Sequence, residues 1–444
     1  MHTIAHKSCA GVRKRRREAE GIERATMSRF DIVVYGATGF TGAYIVKALA
    51  TSPLFADKSI AVAGRSKSKL STALAEIAQE TGECVPDVSK YPIIIADSSD
   101  EESLGAMARQ AKVIINAVGP YVLYGEAVVR AAIENGADHL DISGEEVFLE
   151  HKYNEAAKAK GVYIVGACGF DSVPCDFGTE FLKRDYEGNL AYVETFMRLN
   201  KGSVGYPLNT GTYNSILLAI ASLWNFNAWV VKRAIAPKNA PKAKYSPPLR
   251  LPITHQQHPA LDAWCIPFVG SDKSIVDRSQ YDDFATNGKR PVQIATYMVQ
   301  GSFIKSVLAL LWLGFIGFFA LFSPTRKLLE EHPELFSFGM FQNAGPSKEQ
   351  IDAASFDYFV FGTGWEEGEE ANGREPTKKA AIVCRSADPG YVATSACISS
   401  IALALLNDRP QLAKDGGVFT PVSAVRDTRI FAYLQKMGVN FERI

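Results

Sequence analysis

Residues 30–50 read FDIVVYGATGFTGAYIVKALA. An apolar run, Ile32 to Tyr35, leads into Gly36, Gly39 and Gly42, spaced G-x-x-G-x-x-G, and then into Ile45, Val46 and Leu49 at helical spacing. Strand, glycine turn and amphipathic helix within one βαβ unit is the arrangement that brings bare main-chain amides up to a pyrophosphate. A side chain at either of the first two glycines would block that approach. The stretch predicts a dinucleotide-binding turn made by Gly36, Thr38, Gly39, Phe40, Thr41 and Gly42. The bland alternative is a glycine turn that packs helix on strand without a ligand.

The following units continue the pattern. The second strand ends AVAGRS, so Arg65 and Ser66 stand where an NAD-preferring fold would usually carry an acidic residue for the ribose hydroxyls. A guanidinium there suits the 2′-phosphate of NADP. The strand YPIIIAD ends at Asp97, and KVIINAVGPY runs into Asn116, Val118 and Gly119, which are expected at the crevice beside the nicotinamide ribose. GADHLDISGE and GVYIVGACGFDSVP supply two more strands. Strands alternating with helices of this length imply a doubly wound parallel sheet. None of the 17 tyrosines has a lysine four residues on, which argues against the Tyr-x-x-x-Lys proton-transfer pair of short-chain dehydrogenases.

The stretches FDIVVYGATGFTG, AVAGRS, NAVGPYVLYGE, DISGE, GFDSVPCDFG, FSFGMF, QIDAASF, GYVAT and GGVFTP together resemble the saccharopine dehydrogenase-like oxidoreductases of animals, in order and over essentially all of the chain from Phe30. More distantly the chain is similar to saccharopine reductases and mycobacterial trans-acting enoyl reductases. The resemblance implies a Rossmann domain, a second α+β domain, NADP(H) as cofactor, and association with lipid droplets and other membranes. It implies no particular substrate. True saccharopine reductases carry Gly-x-Asp-Pro-Gly after the sixth strand; here Gly169 and Asp171 match and the Pro-Gly does not follow, so a saccharopine substrate is discounted.

The expected fold class is α/β: a doubly wound parallel Rossmann sheet with a second α+β domain carrying a mixed sheet and a very apolar helix. Residues 1–29 hold the basic run Arg13–Arg17 and are read as a disordered extension. Residues 30–175 form the NADP-binding domain and 176–390 the second domain. Residues 391–444 return as C-terminal helices to the domain interface. Residues 237–259 hold six prolines and read as an extended loop or linker.

Within the second domain, 307–322 contains no charge. Sixteen helical residues span roughly 24 Å, short of a hydrocarbon core of about 30 Å. An all-apolar surface of this size must be covered by the protein's own core, by a second copy in a homodimer, or by lipid. Lys305 at one end and Arg326 and Lys327 at the other suit a lipid monolayer or membrane surface, with the long side chains reaching back to water.

Lysine plus arginine equals aspartate plus glutamate, 48 against 48, which gives no reason to expect nucleic acid. His255 and His258 form an H-x-x-H in a proline-rich loop without other ligands, so no metal site is expected. The predicted activity is hydride transfer from NADPH to a C=C, C=O or C=N bond of a hydrophobic substrate. Tyr121 and Asp171 are the favoured catalytic groups, with Tyr124 and Glu145 as further candidates at strand ends. Thr210–Thr212 is placed against the substrate from the second domain. The expected location is a lipid droplet or membrane on its cytosolic face, with the mitochondrion as an alternative. The competing reading is a non-catalytic NADP-binding scaffold on lipid droplets.

Overall fold

The computed structural model describes residues 29–82, 87–143, 146–222, 245–369 and 374–444. The predicted basic extension up to residue 28 and the candidate Glu145 lie outside the described residues.

The first six strands are β1 (Phe30–Tyr35), β2 (Ile60–Gly64), β3 (Ile93–Ile95), β4 (Ala111–Asn116), β5 (Asp138–Asp141) and β6 (Tyr163–Val165). They lie in the order β6-β5-β4-β1-β2-β3, and every pair is parallel. Helices α1 (Phe40–Thr51), α2 (Lys67–Thr81), α3 (Glu101–Arg109), α4 (Tyr121–Asn135) and α5 (Glu146–Lys160) form the crossovers. Helices on both faces explain why these strands are apolar runs rather than alternating ones. In β1, Ile32 and Val34 join a core with Ile45, Leu70 and Leu74, while Val33 and Tyr35 join the opposite one with Leu104 and Val128. Strand order reverses between β1 and β4, which opens a crevice at their carboxyl ends.

Helix α6 (Val173–Asp185) leads into the second half. Its strands are β7 (Asn189–Asn200), β8 (Leu208–Asn209), β9 (Thr254–His258), β10 (Leu261–Pro267), β11 (Gln293–Val299), β12 (Phe341–Gln342), β13 (Ser355–Trp365) and β14 (Lys378–Ala387). The large sheet runs β14-β13-β7-β11-β10-β9; it is mixed, with β7 and β11 parallel and the other pairs antiparallel. Strands β8 and β12 form a separate parallel pair. The helices of this half are α7 (Thr210–Ser222), α8 (Asp272–Asn287), α9 (Phe303–Ala320), α10 (Ser323–Glu331), α11 (Pro333–Phe336) and α12 (Lys348–Ala353).

The C-terminal segment contains α13 (Thr394–Asn407), β15 (Gly417–Phe419), α14 (Pro421–Val425), α15 (Ile430–Lys436) and β16 (Asn440–Arg443). It contributes a strand to each sheet, β15 beside β6 and β16 beside β14. Between the sheets, α13 is buried from Thr394 to Leu405. One core therefore runs from Val34 through Ile398 and Phe177 to Val360 and Ile382.

Two local readings change. Residues 254–258, within the stretch read as a linker, form β9 and pair with β10. Helix α7 is opened by the side chain of Asn209, which accepts from the Gly211 amide at 2.8 Å. The apolar helix begins at Phe303, where the Ser302 hydroxyl accepts from the Lys305 amide, and Leu321 and Phe322 form the corner before α10.

Among the described residues two helices are long and apolar enough to cross a membrane, and the fold treats them oppositely. In the helix ending at Asn407, 83% of the residues are buried; in α9 only 17% are. On α9, Ser306, Ile316 and Ala320 are buried, and the latter two pack with Tyr213 and Leu217 of α7. Ile304, Leu308, Leu311, Phe315 and Phe318 face outward. Among the described residues, the protein's core therefore leaves the outer face of α9 uncovered.

Candidate functional site

The glycine turn closes on itself. A Cβ on Gly42 would stand 2.1 Å from the Gly36 carbonyl oxygen, so helix α1 can start this close to β1 only with glycine there. Gly36 adopts φ +92°, and a Cβ on it would meet Val118 Cγ2 at 2.7 Å. The turn is thus pressed against the end of β4 across the switch crevice. No side chain caps the first turn of α1, so its amides face the crevice unblocked. Thr38 and Gly39 are exposed there. Uncapped amides at a helix start beside bare glycine backbone fit a pyrophosphate.

At the end of β2, Arg65 is exposed, and Ser66 caps α2 by accepting from the Lys69 amide. The carboxylate of Asp97 accepts from the Ser99 amide and hydroxyl at 3.0 and 2.8 Å. Those bonds, with Arg65 nearby, hold it below the usual carboxylate range. Asp97, read from the sequence with the cofactor-binding residues, shapes the turn after β3, and Arg65 stands exposed near it.

The end of β4 is organised by Asn116, which is buried. Its side-chain oxygen accepts from the Val118 amide at 3.0 Å, and its side-chain nitrogen lies 3.4 Å from His139 Nε2. Asn116 therefore acts on the crevice through the main chain, presenting Val118 and the exposed Gly119. The hydroxyl of Tyr121 donates to the Asn116 carbonyl at 3.0 Å. Burial, and then the charge of Asp141, push its pKa well up. Tyr121 is a neutral hydroxyl engaged by main chain, and the neighbouring Tyr124 is exposed.

Beneath this wall lies a polar pair not singled out from sequence. His139 and Asp141 are both fully buried, with His139 Nδ1 3.9 Å from Asp141 Oδ2. Burial lowers the His139 pKa, so the ring is neutral. The signal was present in DHLD: two polar residues two apart on a strand covered on both faces.

Asp171 sits in the loop after β6, at the junction of the two halves. The Cys168 amide donates to the Asp141 carbonyl at 2.8 Å, and the Phe170 amide to Thr394 Oγ1 at 3.2 Å. Phe170 packs edge-on against Phe356 of β13. The Ser271 hydroxyl donates to the Asp171 carbonyl at 3.2 Å and lies 3.0 Å from the Ser172 hydroxyl. The Asp171 carboxyl is accessible to water, yet surrounding protein is dense enough to raise its pKa by desolvation. Behind it, Asp272 is fully buried, accepts from the Tyr358 hydroxyl, and has its pKa raised well up by burial.

The second half also reaches the glycine turn. Phe40 packs on Tyr391 and Tyr44, and Gly345 approaches the Phe40 ring. Thr210 donates to Asn343 Oδ1 at 2.9 Å, at the same edge. On β9, His255 pairs with Asp262 at 2.8 Å and stacks on Trp264.

The saccharopine dehydrogenase NADP binding domain family matches residues 32–165 of the chain, and the cofactor is NADP(H). The lipid droplet localized protein of Caenorhabditis elegans is 44% identical over 422 residues, covering 94% of this chain and 98% of its own. The saccharopine dehydrogenase-like oxidoreductase of Homo sapiens is 39% identical over 426 residues, covering 94% and 97%. Apo saccharopine dehydrogenase (L-Glu forming) from Saccharomyces cerevisiae shares the fold at 12% identity, with a TM-score of 0.53 over 93% of this chain and 99% of that one.

Proposed function

The chain belongs to the saccharopine dehydrogenase-like oxidoreductase family, and from that premise we propose that it reduces a hydrophobic, lipid-like C=C, C=O or C=N substrate at the surface of a lipid droplet or membrane. The observation that carries this reading is the uncovered outer face of α9. Withdrawing its exposed leucines and phenylalanines from water is worth on the order of 10 kcal/mol at about 1.5 kcal/mol each, which favours a lipid layer as its cover. Leu335 and Phe338 extend the same face, because the Trp312 indole donates to the Phe336 carbonyl at 2.8 Å and ties that tip to α9. Phe338 is 84% exposed and held at φ +51°, a backbone state that costs about 1–3 kcal/mol and is retained for an aromatic ring that points into solvent. Arg326 and Lys327 lie 3.8 Å from Glu330 and Glu331. Apolar area rather than attraction to anionic lipid therefore drives the association.

NADPH supplies a hydride when bound. The amides of Phe40 and Thr41 would hold its pyrophosphate, Arg65 and Ser66 its 2′-phosphate, and Val118 with Gly119 would wall the ribose. Asp171, accessible and with its pKa raised, gives the proton, while Tyr121 braces the wall through Asn116. The test is NADPH oxidation by the full chain on phosphatidylcholine–triolein droplets carrying long-chain enoyl, acyl or ketone compounds. Turnover should fall at least 100-fold in Asp171→Asn with NADPH affinity unchanged. NADPH binding without oxidation of any such compound would favour the scaffold reading instead.

A further inference from the structure

The corner between α9 and α10 reads Phe322-Ser323-Pro324-Thr325-Arg326-Lys327. Phe322 is extended there, at φ −102° and ψ 126°, and separates the two helices. Ser323 and Pro324 are exposed. The Arg326 guanidinium is 3.5 Å from the Ser323 hydroxyl oxygen. The neighbouring hydroxyl is unlike it: Thr325 donates to the carbonyls of Phe319 and Phe322 at 2.5 and 3.1 Å and is held inside the corner. A serine with proline next and a cation three residues on, at an exposed corner, carries the features that proline-directed protein kinases recognise. Around it stand Phe318, Leu321 and Phe322, all exposed, so Ser323 lies on the rim of the uncovered apolar face.

We infer that Ser323 is a phosphorylation site and that its phosphate releases the α9 face from lipid; the inference rests on the lipid-surface reading given above. In the transfer, the Ser323 oxygen forms a bond to the γ-phosphorus of ATP. The bond from that phosphorus to the bridging oxygen breaks, ADP leaves, and the hydroxyl proton passes to the kinase. The product carries a charge of about −2 at neutral pH. Arg326 can pair with only part of it, because that guanidinium also lies 3.8 Å from Glu330 and donates to the Ala320 carbonyl. A hydrated dianion beside Phe318 and Phe322 keeps the corner in water, since burying an unpaired charge costs far more than burying these rings returns.

The test uses the full chain, incubated with ATP and a proline-directed kinase, then floated with phosphatidylcholine–triolein droplets. Mass spectrometry should place one phosphate on Ser323, and the phosphorylated fraction should partition to droplets at least tenfold less. Ser323→Ala should float like untreated protein whether or not kinase is present, and Ser323→Asp should float less than Ser323→Ala. Lack of phosphate on Ser323, or equal flotation of both forms, overturns the switch while leaving the lipid reading intact. Failure of the untreated chain to float overturns both.

Discussion

The ring of Phe40, the first residue of α1, lies 4.5 Å from the ring of Tyr391, the third residue of the turn Pro389–Ala393 that enters α13. Tyr44 closes a triangle with them, at 5.7 Å from Phe40 and 5.6 Å from Tyr391. The glycine turn is thus held from its outer side by the segment that links both sheets. Phe40→Ala should cost about 2–3 kcal/mol of stability. It should also weaken NADPH binding roughly tenfold, because α1 loses the brace that fixes its first amides. Thermal unfolding and NADPH fluorescence titration measure the two effects; unchanged NADPH affinity would count against the brace.

Arg65 is exposed at the end of β2, where the proposed function puts the 2′-phosphate. Arg65→Ala should raise the Kd for NADPH about 10- to 100-fold and leave that for NADH nearly unchanged, the loss expected for one charge-assisted phosphate contact. Calorimetry with both nucleotides gives the ratio, and an equal loss for both would assign the arginine to something other than the ribose phosphate.

Asp176 is buried at the start of α6, where its carboxylate accepts from the Ser279 hydroxyl at 2.9 Å and the Val422 amide at 3.1 Å. Burial outweighs those bonds and pushes its pKa up to about 7. The folded pKa lies above the unfolded one. Below about pH 4 both states are protonated and the group is neutral in its effect. Between about 4 and 7 the unfolded state sheds its proton first, and stability falls as pH rises. The difference, about three pH units, corresponds to about 4 kcal/mol at most. Asp176→Asn should therefore raise Tm by a few degrees at pH 8 and leave it nearly unchanged at pH 4.

The outer face of α9 can be altered without touching the core. Replacing Leu308, Leu311 and Phe318 by serine should abolish flotation with droplets, raise the soluble yield, and leave NADPH affinity within twofold. Flotation that persists in the triple variant would move the lipid contact elsewhere. Varying the anionic lipid fraction from none to a third should change wild-type flotation little, given the ion pairs of α10.

Much of the nucleotide-binding half was legible because short-range rules decide it. The apolar strand, the three glycines and the helical spacing after them are local, and β1, α1 and the turn fall where Ile32 to Leu49 place them. Less was legible where tertiary context decides. The runs 389–407 and 303–320 are both long and apolar enough to cross a membrane, yet one is buried inside the fold and the other faces outward. Strands β15 and β16 are three and four residues long, too short to carry a period, and exist because β6 and β14 offer open edges. At the site, the ends of β1, β2 and β4 were readable from strand position. The meeting of Asp171 with Ser271 across 100 residues was not, since nothing local to either residue encodes it.

The placing of β15 and β16 has a consequence for how the polypeptide is made. Each sheet receives a strand from beyond α13, so translation must pass Phe419 before the parallel sheet is complete and Arg443 before the mixed sheet is. Until then two strand edges that the finished fold covers stay open together. A premature stop anywhere upstream of Gly417 removes a strand from both sheets at once, which makes such products substrates for quality control rather than partial enzymes.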